Sequence, residues 1–169
     1  DRWPDVLSRR LLANKPTSQV AVLNMGIGGN CMLGGGLGPT GRQRYQRDLI
    51  NQAGVKWIIL FEAVNDLGYA RDGVQSANMI IDVYKQIIQE AHEKGIYVYG
   101  ATITPFKNNG YYTEDHEKGR QHLNNWMRTT DLLDGVIELE HAVRDPQDPA
   151  SMHKDYLFEN DYLHPNAKG

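Results

Sequence analysis

Asp161 and His164 stand three residues apart in the segment DYLHP near the end of a 169-residue chain. A carboxylate at that spacing can hold one ring nitrogen of the imidazole and stabilise its protonated form, leaving the other nitrogen to take a proton from a nucleophile. Taken alone, a D-x-x-H pair is more often a surface histidine ahead of a helix, which Pro165 is suited to start. Its company makes it interesting. In NMGIGGN, Gly26, Gly28 and Gly29 directly follow an apolar run, so a ligand could approach bare backbone N–H groups able to stabilise a developing oxyanion. In EAVNDLG, the Asn65 amide could donate in the same way, although Asn65 and Asp66 also read as an ordinary Asx turn.

Other features carry less chemistry. Eight of the 17 glycines lie between Gly26 and Gly41, and Gly36, Gly38 and Gly41 satisfy GxGxxG. That match begins twelve residues after Asn24 and contains Pro39, whereas a dinucleotide fingerprint joins strand to helix directly. The stretch 34–41 therefore reads as a flexible, glycine-permitted loop, and no P-loop pattern occurs anywhere. His92, His116, His122, His141 and His153 show neither HExxH nor HxH spacing, and the first three suit solvated helix faces better than metal binding. Tyr111 and Tyr112 could stack on a sugar ring or cover the core, two readings of equal weight. The single cysteine, Cys31, excludes an internal disulfide framework and a multi-cysteine zinc site.

These residues need elements to position them. Apolar runs at 20–24 (VAVLN), 57–61 (WIILF), 96–103 (IYVYGATI) and 136–139 (VIEL) have strand character, mostly of the buried parallel kind. Helical spacing separates them at 42–52, 74–94 and 114–130, and Pro4 opens another amphipathic stretch over 4–13. The alternation predicts an α/β domain with a mostly parallel sheet covered by helices on both sides. Ligands of such sheets bind beyond the carboxyl ends of the strands, which is where Gly29, Asn65 and the 103–112 loop would fall. Composition agrees with one globular domain over 1–169. A net charge of −3, with 18 basic and 21 acidic residues, argues against a nucleic-acid partner, and no apolar run is long enough to span a membrane.

Taken in order, NMGIGGN, EAVNDLG and DYLHPNAKG resemble the second, third and fifth sequence blocks of the SGNH hydrolases, also called GDSL esterases and lipases. The opening RWPDVLSRRL resembles the helix that follows the first block of that family. The resemblance implies a three-layer α/β/α fold and a serine esterase acting through an acyl-enzyme. By position it makes Gly29 and Asn65 oxyanion donors, Asp161 the triad aspartate and His164 the general base. Ala63 stands where the third block usually has glycine. The block with the nucleophilic serine is not in these residues: Ser8, Ser18, Ser76 and Ser151 fall in helices or connections, and no GxSxG elbow replaces it. Both ends accordingly read as cut, with the first strand and the last helix outside the chain and an N-terminal segment expected to carry the serine.

The expected substrate is a short-chain acyl ester or a carbohydrate O-acetyl ester, with Tyr111 and Tyr112 as candidate substrate contacts. No metal or organic cofactor is implied. Similar esterases suggest a secreted or periplasmic location, although no signal peptide is present. Two other readings compete: a non-catalytic carbohydrate- or partner-binding domain with a relict cleft, and a hydrolase that uses Cys31 as nucleophile.

Overall fold

The computed structural model describes residues 2–169. Six α-helices appear among these residues: α1 (Trp3–Ala13), α2 (Gly41–Tyr45), α3 (Val64–Gly68), α4 (Gly73–Glu93), α5 (Glu114–Thr129) and α6 (Leu139–Val143). Strands β1 (Trp57–Leu60), β2 (Tyr97–Ala101) and β3 (Gly135–Ile137) form one parallel sheet in the order β1-β2-β3. Parallel neighbours need a long crossover. Helices α3 and α4 supply it between β1 and β2, and α5 supplies it between β2 and β3.

The two long helices form where capping and periodicity agree. The Asp72 side chain accepts from Gln75 N (2.8 Å) to start α4, and the chain turns out of the helix at Gly95. Thr113 caps α5 by accepting from His116 N (3.0 Å), and Glu114, Asp115 and Glu117 place negative charge in its first turn. Their apolar stripes meet the sheet. Ile80, Tyr84, Ile87 and Ile88 of α4 and Leu123 and Met127 of α5 bury with Ile58, Leu60 and Val98 in one core. Along β1 and β2 burial alternates, so Trp57 and Tyr97, paired in register, remain half exposed at the opposite end from the loops of interest.

A buried polar cluster fixes the chain as it leaves β2. Arg120, with no exposed surface, pairs with Glu117 (2.7 Å) and Glu140 (3.4 Å) and donates to Ile103 O (2.9 Å). Asn124 Oδ1 accepts from Ile103 N (2.7 Å), while its Nδ2 donates to Glu140 (3.0 Å). A segment past the last ladder bond thus keeps its backbone groups satisfied, as burial requires.

Two expectations change. Residues 20–24 form no strand; they take no regular structure, with Leu23 62% exposed, and no hydrogen bond joins them to β1 among the described residues. An apolar run makes a strand only when a neighbour completes its ladder, and β1 is an edge strand here. The helix expected over 42–52 is α2 followed by a π-helical stretch, Gln46–Ile50. After Pro165, Asn166 N donates to Tyr156 O (2.7 Å), and its side chain ties Asp155 and Leu157, so this segment closes as a turn, in keeping with the expectation that the last helix lies outside these residues. No helix among the described residues is long and apolar enough to cross a membrane.

Candidate active site

A cleft of about 280 Å³ opens beyond the carboxyl ends of β1 and β2. Gly29, Glu62, Ala63, Asn65, Thr104, Tyr111 and His164 line it, with an apolar floor that includes Phe61, Val64 and Ile103. Three residues picked out by separate motifs, Gly29, Asn65 and His164, therefore meet at one place.

Gly29 sits in a turn at φ 69°, a left-handed conformation that favours glycine. Its carbonyl accepts from Leu37 N (2.8 Å), and its N–H makes no hydrogen bond among the described residues. The loop beyond it is pinned, contrary to the expected flexible stretch over 34–41. Buried Asn30 donates to Leu37 O (2.7 Å) and Pro39 O (2.9 Å) and accepts from the Arg44 guanidinium (2.9 and 3.1 Å), which also pairs with Asp48. A Cβ at Gly36 would stand 2.5 Å from Gly29 O, so the loop folds back onto the turn backbone to backbone.

Asn65 lies in the first turn of α3, which starts as the chain leaves β1 through Glu62 and Ala63. Ala63 is fully buried at φ 140°, where an L side chain is strained. That geometry accounts physically for the glycine usual at this position. Asn65 Nδ2 donates to Asn30 O (2.8 Å), leaving one amide N–H for the cleft, and Oδ1 accepts from Tyr111 (3.2 Å). Next to it, buried Asp66 accepts from Met32 N (2.7 Å) and Leu33 N (2.8 Å), clamping the glycine loop to α3.

The electrostatics follow burial. Glu62 is pushed up to about 7, first by burial and then by the charge of Asp66, with Arg44 opposing. Asp66 is also raised by burial, against the two backbone N–H groups that favour its charge. Cys31 lies wholly buried under the loop and outside the cleft lining, and its thiol is pushed up to about 11 by burial. That environment disfavours the thiolate that a cysteine nucleophile needs.

On the other wall, Asp161 and His164 form a compact turn. Asp161 Oδ1 accepts from Leu163 N (2.9 Å) and His164 N (3.0 Å), while Oδ2 lies 2.6 Å from His164 Nδ1. Burial works to raise this carboxyl, but the two N–H groups and the imidazole outweigh it and hold it below its usual range. With Nδ1 engaged, Nε2 has no protein partner among the described residues. The turn is tied to the rest by Asn109, whose Nδ2 donates to Asp161 O (2.7 Å) and whose Oδ1 accepts from Tyr111 N (2.9 Å).

The two tyrosines part ways. Tyr111 lines the cleft, whereas Tyr112 turns edge-on to Phe106 and is not part of the lining. His116 is no solvated helix residue: its ring nitrogens lie 2.6 Å from Tyr111 O and 3.0 Å from Ala70 O. Motif reading missed Tyr111's link to Asn65 and the clamp at Asp66, because both join segments more than thirty residues apart. No serine lines the cleft among the described residues; Ser151, for example, bonds Asp148 (2.9 Å).

The sequence pattern of the GDSL-like lipase/acylhydrolase family matches residues 1–169. A crystal structure of a proposed acylhydrolase from Bacteroides fragilis is similar in fold, with a TM-score of 0.66 at 17% identity, covering 96% of this chain and 76% of that one. No curated protein matches the chain.

Proposed function

The chain belongs to the GDSL-like lipase/acylhydrolase family, and from that premise we propose that its cleft hydrolyses carboxylic esters by a serine mechanism. His164 is the general base and Asp161 its orienting carboxylate. Gly29 N–H and the free Asn65 amide N–H receive the oxyanion. Because the cleft presents no serine among the described residues, the nucleophile belongs to a segment outside residues 1–169, and edge strand β1 is where such a segment can pair.

In this reading the serine comes from outside residues 1–169 and the other groups from the cleft. Asp161 holds Nδ1–H, so Nε2 carries the lone pair and accepts the serine proton as the hydroxyl oxygen attacks the ester carbon. The carbonyl electrons move onto oxygen, and donors fixed in advance stabilise that charge without reorganising. Collapse of the intermediate expels the alcohol, which takes the proton from Nε2 and leaves an acyl-enzyme. Water then attacks the acyl-enzyme by the same route and frees the acid.

One observation carries the reading: His164, with Nδ1 2.6 Å from Asp161, shares a single cleft with Gly29 and Asn65. The favoured substrate is an ester of a short acyl group, including the acetyl group of a carbohydrate ester, which fits within the cleft of about 280 Å³. The test joins a Gly-Asp-Ser segment upstream of residue 1 and measures hydrolysis of p-nitrophenyl esters. Acetate should turn over faster than octanoate, and His164→Ala should lower kcat by about 10³-fold or more. Undiminished turnover in His164→Ala, or a preference for octanoate, overturns the corresponding part.

A further inference from the structure

We infer that Tyr111 is a positioning residue for Asn65: its hydroxyl holds and polarises the amide whose N–H faces the cleft, and its ring serves as the mount for that hydroxyl rather than as a sugar-stacking surface. This rests on the reading of Asn65 as an oxyanion donor.

An asparagine serves an oxyanion only if it presents nitrogen. Turned over, the same side chain presents its carbonyl oxygen and repels the developing charge. Two contacts set the orientation of Asn65: Nδ2 donates to Asn30 O (2.8 Å), and Oδ1 lies 3.2 Å from Tyr111 Oη. Amide oxygen can only accept, so the single Tyr111 proton goes to Asn65. With that proton on Asn65, the Tyr69 hydroxyl, 2.9 Å away, is the one left to donate between the two tyrosines. The result is a chain of donors running Tyr69, Tyr111, Asn65. Hydrogen bonds in such a chain polarise one another, so a donor at Oδ1 makes the remaining N–H a stronger donor. Burial and the Tyr69 contact push the Tyr111 hydroxyl up to about 12, so it keeps its proton wherever an ester hydrolase works.

The fold invests in this one side chain. The ring lies flat against α3 at Gly68, where a Cβ would stand 2.3 Å from ring carbon Cγ. Its backbone N–H donates to Asn109 (2.9 Å). Tyr69 meets its ring edge-on, with centroids 5.1 Å apart. One face of the ring is thus seated on α3, and a second aromatic packs beside it, so the ring and its hydroxyl are held in place.

Tyr111→Phe separates the two roles because it keeps the ring and removes only the hydroxyl. In the serine-bearing polypeptide, kcat for p-nitrophenyl acetate should fall about tenfold with KM within twofold, and Tyr69→Phe should cost less. Unchanged kcat in Tyr111→Phe, or a change confined to KM, overturns the inference. A second measurement needs no turnover. In the 169-residue chain, the Asn65 side-chain amide protons, followed by ¹⁵N–¹H NMR, should shift and exchange faster in Tyr111→Phe; an unmoved pair overturns it equally. If the serine-bearing polypeptide hydrolyses no ester at all, the esterase reading falls while the amide resonances still decide the Tyr111–Asn65 contact.

Discussion

Asp66 and Asp161 make the same kind of contact and teach opposite lessons. Each carboxylate accepts from two backbone N–H groups, Asp66 from Met32 and Leu33, Asp161 from Leu163 and His164. Asp66 reaches more than thirty residues back along the chain and is 5% exposed. Asp161 closes a turn on its immediate neighbours, with its side chain 33% exposed. One wall of the cleft is thus assembled by buried tertiary bonds, the other by a local loop. Burial decides the ionisation as well, raising Asp66, while at Asp161 the hydrogen bonds prevail and lower it. Rigidity on one side and accessibility on the other suit the proposed oxyanion and proton-transfer roles, since an oxyanion hole works by being fixed in advance.

The contrast can be broken most severely at Asp66. Asp66→Ala leaves two backbone N–H groups without partners inside the protein and should cost about 3 kcal/mol of stability, read as a fall in the urea midpoint. A loss no larger than that of an exposed carboxylate would dissolve the distinction between the walls. Glu62 sharpens it next. Its carboxyl is raised from 4.5 to about 7, so between those values the folded chain holds a proton that the unfolded chain has released. Stability through this group is therefore full below about pH 4.5 and falls as pH rises toward 7. Glu62→Gln should flatten that slope and leave the variant about 2 kcal/mol more stable than the parent at pH 8. An identical pH profile in the two proteins would refute it. Asp161→Ala should have the smallest effect, under about 1 kcal/mol at pH 7, because its partners can turn to water. Asp161 also carries the opposite pH sign: its lowered carboxyl contributes above the usual carboxylate range, and the contribution is lost on acidification.

The same division governs what could be read without coordinates. The Asp161–His164 contact was legible because a three-residue spacing is a local matter. The parallel α/β order was legible for the same reason, since helical and strand periodicities are written within single segments. Residues 20–24 misled because their apolar run is a strand only in the presence of a neighbour, which local pattern cannot supply. Asp66 in EAVNDLG looked like half of an Asx turn, yet its partners lie in the glycine loop. Tyr111 offered two equal readings, and its contacts to Asn65 and Gly68 of α3 belong to neither pattern that a local segment displays. Ala63 did carry a signal: an alanine at a glycine position marked a backbone angle that only coordinates could show as φ 140°.

Edge strand β1 also governs how the chain behaves in bulk. Its backbone is laddered to β2 on one side alone, and such an edge is a template for another molecule of the same kind. Half-exposed Trp57 adds apolar surface, and Lys56, just ahead of the strand, is the nearest charge of the sort that discourages edge-to-edge pairing. Concentrated solutions of residues 1–169 should therefore scatter light progressively more with time, and solubility, ahead of unfolding temperature, will limit how the chain can be handled.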